Sequence, residues 1–383
     1  MNKSKVLMVD SSVGNDYALI LCKALKKAGI DISLVVTEDI IDDGTTEYPL
    51  LPLSPPKAKN ISKFKKFFKY YKYLLDIYKL IRQEKYNVIH FQFFRRRRTD
   101  SLYFAMLKLI GVKLAHTVHD VTPLNKNKID HLFNLLVYKK ADILFVHSNS
   151  NKRILAQQIR LNEEKIKVVP HGDFDTFIPD QIVTKSEARK FFNLSQEQNV
   201  ILFFGAIKEY KGLDILLNSL SFASKKINNL TLIIAGWVDN KKFELQCRNI
   251  ISKLPKEIKV IYHAGFIPSA EVPKYFIASD VVVQPYRRIS HSGVLHLAYS
   301  FGKPVIATNV GDFEETIEQG KSGFVLSSNT QENLSEKIIQ AFSDKLKLEE
   351  MGKYARHLSE TKYSWENSAE LMKLIYEKMI KNN

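Results

Sequence analysis

Val200-Ile201-Leu202-Phe203-Phe204-Gly205-Ala206-Ile207-Lys208-Glu209-Tyr210-Lys211-Gly212-Leu213-Asp214-Ile215-Leu216-Leu217 is the stretch whose reading decides the fold. Five apolar, mostly β-branched or aromatic residues read as a buried strand, and a turn bounded by Gly205 and Gly212 leads into a helix opening at Leu213. Glycines let the backbone approach a ligand, a helix start offers free N–H groups, and Lys208 and Lys211 place positive charge beside them. A diphosphate is the natural guest of such a turn. A second helix start, Ser292-Gly293-Val294-Leu295, repeats the theme. Its helix ends at Phe301-Gly302, and Lys303-Pro304-Val305-Ile306-Ala307-Thr308 enters the core as the next strand.

Outward from this stretch, short apolar runs alternate with helical patterns. Strands are predicted at Val6–Val9, Ile32–Val36, Val88–Phe93, Val112–Val118, Ile143–His147 and Ile166–Pro170, with helices at 16–29, 62–83, 101–110, 130–140 and 150–158. A second series runs through Val200–Phe204, Leu232–Ala235, Val260–Ala264, Val281–Gln284, Val305–Ala307 and Gly323–Val325. Its helices are expected near 212–225, 241–253, 270–278, 293–301 and 330–343. Such alternation implies parallel sheets covered on both faces, hence two Rossmann-like halves joined near residues 173–185. Ligands of these sheets bind beyond the carboxyl ends of the strands, so the residues just after strands carry the functional information.

Composition agrees. The chain has 383 residues, 45% hydrophobic and 26% charged, which suits two globular domains and excludes wholesale disorder. No solenoid repeat is present. Cys22 and Cys247 lack neighbours at ligand spacing, so neither a zinc site nor a disulfide framework is expected, and a reducing, cytoplasmic setting fits. The opening apolar run reads as a first strand, and no stretch reaches the roughly 18 apolar residues of a membrane span.

The net charge of +16 is concentrated. Residues 51–100 hold 14 Lys/Arg against 3 Asp/Glu. Within them Phe64, Phe67, Phe68, Tyr71, Leu74, Leu75 and Tyr78 recur at helical spacing among Lys63, Lys65, Lys66, Lys69 and Lys72. In one reading the aromatic stripe packs on the sheet and the lysines face solvent. In the other, Lys65, Lys66, Lys69 and Lys72 meet an anionic membrane surface together with rim aromatics. Arg95, Arg96, Arg97 and Arg98 follow a strand and can grip phosphates. No helix-turn-helix, zinc-finger or RNA-recognition signature accompanies the charge, so nucleic acid is not the expected partner.

The motifs resemble glycosyltransferase family 4, retaining bacterial sugar transferases of the exopolysaccharide, capsule and O-antigen type. The resemblance rests on Pro170-His171-Gly172, Phe203-Phe204-Gly205, Tyr210-Lys211-Gly212-Leu213-Asp214, Gly265-Phe266-Ile267, Ser279-Asp280, Pro285-Tyr286, Ser292-Gly293-Val294-Leu295 and Phe301-Gly302-Lys303-Pro304. Thr117-Val118-His119-Asp120 and Tyr138-Lys139-Lys140-Ala141-Asp142 also look like the family. The implied fold is α/β of the GT-B type, two Rossmann-like domains facing each other across a cleft. The expected divisions are 1–175 for the acceptor, 176–365 for a nucleotide-sugar, and 366–383 as a terminal helix crossing back to the first domain.

The resemblance implies roles. Lys211 would contact the donor diphosphate with Lys208 nearby, and Ser292, Gly293, Val294 and Leu295 would hold its distal phosphate. Phe266 and Ile267 would lie along the base, Gly14 would close over the phosphates, and His119 would stand beside the transferred sugar as the catalytic candidate. The implied reaction moves a sugar from a UDP- or GDP-linked donor to a polyprenyl-diphosphate-linked saccharide. It would retain configuration and use neither metal nor cofactor, on the inner face of the cell membrane. The chain departs from the family pattern where Ile289 and Leu297 stand in place of two glutamates and Ala206 in place of an arginine. The alternative these departures raise is a degenerate transferase-like domain serving as a partner subunit.

Overall fold

The computed structural model describes residues 4–10, 16–38, 40, 46–55, 62–94, 96–121, 128–178 and 183–381, without the side chains of Asp16, Lys63, Lys66, Arg97 and Lys128. The chain forms two compact units. One comprises Met1–Pro170 with Trp365–Asn383, the other His171–Ser364.

The first unit begins with β1 (Lys5–Asp10), α1 (Asp16–Lys27), β2 (Asp31–Thr37), β3 (Leu50–Ser54), α2 (Lys63–Glu84) and β4 (Val88–Phe93). It continues through α3 (Arg97–Leu107), β5 (Lys113–Thr117), α4 (Lys128–Lys140), β6 (Ile143–Val146), α5 (Asn149–Ile159) and β7 (Ile166–Val168). The seven strands are parallel in the order β3-β2-β1-β4-β5-β6-β7. Because side chains alternate along a strand, β1 feeds two cores. Leu7 and Val9 pack with Tyr70, Ile77 and Phe104 on one face, while Val6 and Met8 pack with Leu21 and Leu25 of α1 on the other.

The second unit runs α6 (Lys185–Phe191), β8 (Asn199–Phe204), α7 (Leu213–Ala223), β9 (Leu230–Gly236), α8 (Lys241–Ile251), β10 (Lys259–Ala264), α9 (Val272–Ala278) and β11 (Val281–Gln284). Then come α10 (Gly293–Ser300), β12 (Val305–Thr308), α11 (Phe313–Thr316), β13 (Gly323–Leu326), α12 (Gln331–Phe342) and α13 (Lys345–Glu360). Six parallel strands lie in the order β10-β9-β8-β11-β12-β13. Ile201 and Phe203 of β8 enter one core, Val200 and Leu202 the other. The last helix, α14 (Trp365–Lys381), belongs to the first unit. It buries Trp365, Ala369, Met372 and Tyr376 beside α1.

Four elements escape the sequence patterns, the four-residue α11 among them. β3 lies at the sheet edge and contains Pro52, which a strand tolerates there because an edge has an unneeded N–H. α6 is too short for a period to show, and α13 carries mostly charge. In α2 the reading in which the named stripe packs on the sheet is overturned: Leu74 alone of the stripe is buried, and its aromatics are exposed, Phe64 at 72%. Tyr70, Tyr73, Ile77 and Ile81 are the side that packs on the sheet. Both faces of this helix are apolar at three- and four-residue spacing, so periodicity alone could not choose between them.

Candidate functional site

In the second sheet, strand order reverses between β8 and β11, and the turns leaving these two strands meet. Gly212 adopts φ +69° and lies so close to Pro285 that an added Cβ would fall 2.0 Å from the Pro285 carbonyl oxygen. Arg287 joins the same turns. Its backbone N–H donates to Tyr210 O at 2.7 Å, and its guanidinium holds Asp214 with two bonds of 2.9 and 2.6 Å.

This close fit brings Lys211 under the turn, 8% exposed, with its Nζ 5.2 Å from the Tyr286 ring centroid. No acidic side chain pairs with Lys211 among the described residues. Burial therefore depresses its ammonium pKa below the usual lysine value, with Tyr210 the one neighbour opposing the shift. A Cβ on Gly205 would lie 3.0 Å from Lys211 Nζ and 3.4 Å from Val294 Cγ2, so the first turn, the lysine and the start of α10 converge. Ser292 does not cap α10, since its hydroxyl donates to Gln284 Oε1 at 2.6 Å and no side chain caps the helix. The convergent cation and uncapped helix start form an arrangement suited to an anion.

The other sequence-named residues of this unit fall around that point. Leu295 is a core side chain, 1% exposed, so any ligand contact it makes comes from its backbone. Ile267 packs partly on the core, whereas Phe266 is 80% exposed. Lys208 turns toward β9, where its Nζ is 3.8 Å from Asp239 and 5.0 Å from the Trp237 ring centroid. Its charge is thus shared with a carboxylate. Leu297 is buried in the core, and Ile289 packs against it.

Sequence reasoning missed a neighbouring cluster. His171 stacks on His291 at 5.0 Å and on His296 at 5.4 Å, His291 and His296 lie tilted at 4.9 Å, and His291 Nδ1 lies 2.5 Å from Asp312 Oδ2. Burial first, then the charge of His291, push His171 down to about 3. The signal that could have found this group was the trio of positions after strands, His171, His291 and Asp312, but their convergence is tertiary.

In the first unit, His119 sits just past β5. Its Nε2 is 3.0 Å from Gln92 Oε1 and its Nδ1 3.2 Å from His147 Nε2, while Phe93 stacks on its ring at 4.3 Å and Tyr17 meets it edge-on. His147 Nδ1 faces the Val169 carbonyl at 3.2 Å, which only accepts, so that nitrogen carries a proton. A neutral His147 then accepts from His119 Nδ1–H.

Gly14 and Arg95 lie outside the described residues, as do the side chains of Lys66 and Arg97. Arg96 stacks over Tyr70 at 4.5 Å, and Arg98 approaches Asp130 at 3.6 Å. On α2, Lys69 pairs with Glu38 at 3.2 Å and Lys72 with Asp76 at 2.7 Å, while Lys65 is exposed. Among the described residues, no helix is long and apolar enough to cross a membrane.

Residues 14–172 match the family model described as Glycosyltransferase Family 4, and residues 184–358 match the model described as Glycosyl transferases group 1. A D-inositol 3-phosphate glycosyltransferase from Corynebacterium urealyticum is 23% identical over 308 residues, covering 76% of this chain and 71% of that protein. An uncharacterized 41.2 kDa protein in the cps region of Klebsiella pneumoniae is 28% identical over 261 residues, covering 66% and 68%. The crystal structure of Anabaena HepE in complex with UDP shares the fold with a TM-score of 0.74 at 15% identity, covering 98% of this chain and 100% of that one.

Proposed function

Because the chain belongs to the family 4-like glycosyltransferases, with two Rossmann-like domains of the GT-B type, we propose that it transfers a hexose from a UDP- or GDP-sugar to a polyprenyl-diphosphate-linked saccharide during cell-surface polysaccharide synthesis. The buried Lys211, without an acidic partner among the described residues and converging with Gly205 and the uncapped start of α10, is the observation that carries the donor reading. A buried ammonium is costly unless an anion accompanies it, and a diphosphate supplies that anion. The UDP held by HepE and the cps location of the Klebsiella relative support the same donor class and pathway.

In the proposed reaction the bond from the anomeric carbon to the diphosphate breaks as the acceptor hydroxyl oxygen forms the new glycosidic bond on the same face. Because the new bond forms on the face the diphosphate leaves, configuration is retained, and the hydroxyl proton passes to the departing diphosphate oxygen. Lys211 and the α10 N–H groups stabilise the charge that develops on the leaving group, a task that needs no metal ion. His119, fixed by Gln92 and His147, is placed in this reading beside the transferred sugar. The resemblance would give Gly14 a role at the donor phosphates and Arg95–Arg98 one at the acceptor diphosphate.

The lipid-linked acceptor accounts for α2. Its exposed row Phe64, Phe67, Phe68, Tyr71 and Leu75, flanked by Lys65, suits the boundary of an anionic inner leaflet. The rival reading is a degenerate partner subunit, favoured by the burial of Leu297 and the packing of Ile289 where carboxylates would be needed.

Thermal shifts against UDP, GDP, ADP and CMP and their sugars test the donor reading. Stabilisation by one of them, lost in Lys211→Ala, is expected. Binding without hydrolysis or transfer would favour the partner subunit, and no shift from any of them removes the donor site.

A further inference from the structure

The strands β10, β9 and β8 are neighbours, and each ends in a glycine at the same level of the sheet. Gly205 follows β8 at φ +96°, Gly236 closes β9 at φ +153°, and Gly265 follows β10 at φ +158°. Backbone bonds tie the row together, Gly205 N–H to Ala235 O and Gly265 N–H to Gly236 O, both 2.9 Å. A Cβ on Gly236 would fall 2.0 Å from Gly205 O, and one on Gly265 would meet nothing within 4 Å among the described residues. The result is a bare backbone ledge beside the turn that carries Lys211.

Two aromatic side chains rise directly after this ledge. Trp237 is 44% exposed and Phe266 80% exposed, a large apolar area to leave in water. Trp237 is nevertheless held in place. Its carbonyl accepts from Ile207 N–H at 2.8 Å, and Lys208 sits over its ring at 5.0 Å while reaching Asp239 at 3.8 Å. A fixed, half-exposed indole next to an open ledge suits a flat π-faced guest, because stacking needs a rigid platform and tolerates any base.

We propose that Trp237, steadied by Lys208, is a stacking residue for the nucleobase of the donor. This rests on the donor reading above and adds a base-recognising residue just after β9. Lys208 then acts as a positioning residue for the indole, and its charge is directed away from the diphosphate.

The chain has two tryptophans, and the other, Trp365, is 4% exposed in the core of the first unit. Both emit, so the part of an emission change that belongs to Trp237 is the part lost in Trp237→Phe. The wild-type protein, Trp237→Leu and Trp237→Phe are titrated with UDP, GDP, ADP and CMP and with inorganic pyrophosphate, following emission and thermal shift in parallel. One nucleotide is expected to change wild-type emission and pyrophosphate to leave it unchanged. Trp237→Leu should bind that nucleotide about tenfold more weakly with unchanged pyrophosphate affinity, since base–aromatic stacking contributes on the order of a tenfold factor or more. Trp237→Phe should keep the affinity and lose the emission change.

Nucleotide binding with wild-type affinity in Trp237→Leu, or binding without an emission change, overturns the stacking role and leaves the donor site standing. Absence of any nucleotide binding by the wild-type protein overturns both.

Discussion

At the scale of single residues, the positions that matter most are those where two backbones touch. Gly212 combines a left-handed φ with a contact that a Cβ would turn into a collision with Pro285. Gly212→Ala should therefore cost at least about 2 kcal/mol and lower the thermal midpoint, while abolishing nucleotide binding through the displaced Lys211. Asp280, half of the Ser279-Asp280 pair noted in the sequence, explains itself in the fold. Its carboxylate accepts from Arg189, which is 1% exposed, at 2.9 Å by two bonds, and from Lys185 and the Val200 N–H. Asp280→Asn leaves a buried guanidinium without its counter-charge and should destabilise by about 3–5 kcal/mol in urea unfolding. The glycines and Lys211 could be read from the sequence because turn chemistry is local. The partners of Lys208 and His119 could not, because Trp237 and Asp239, or Gln92 and His147, reach them only after the sheets form.

At the scale of elements, α2 is the clearest case of a helix whose pattern has two solutions. Its core face is decided by packing against β1 and β4, which leaves the aromatic row outside. Vesicle sedimentation tests the membrane role of that row. Phe64→Ser with Phe68→Ser should reduce binding to anionic vesicles several-fold, and Lys65, Lys66, Lys69 and Lys72 to Glu should reduce it further. Equal binding to neutral and anionic vesicles, unchanged by the lysine reversals, would sink the electrostatic part.

The turn between α10 and β12 offers a pH test. Lys303 donates to Ser279 O at 2.9 Å, and burial, followed by the charge of Lys185, lowers its pKa to about 8. Between about 8 and its unfolded value of 10.5 the unfolded chain binds the extra proton, so stability contributed through this residue rises with pH. Below about 8 the cost of the buried charge is fully present. Lys303→Met should remove a slope of at most about 1.4 kcal/mol per pH unit across that window, measured by denaturation at several pH values.

At the scale of the whole molecule, the chain visits its first unit twice. Residues 365–383 return to it after the second unit is complete, and Tyr376 OH meets the buried His90 Nδ1 at 2.5 Å. Truncation after Ser364 should unfold the first unit by exposing Leu21, Leu25 and Met8, while the second unit keeps its own melting transition and its nucleotide-induced shift. Calorimetry of the truncated chain checks this, and loss of both transitions would refute the independence of the second unit's core.

The sequence by itself determined the class of architecture, because strand and helix periods, glycine turns and helix starts follow from backbone sterics within a few residues. It also pointed to Lys211 and to the start of α10, since each lies in a local strand–turn–helix unit of its own. Only the tertiary structure decided which face of α2 is buried, that Lys208 serves Trp237, and that His171, His291, His296 and Asp312 gather at one point. Those outcomes depend on which distant side chains share a desolvated space, and burial is a property of the packed molecule that no local spacing records.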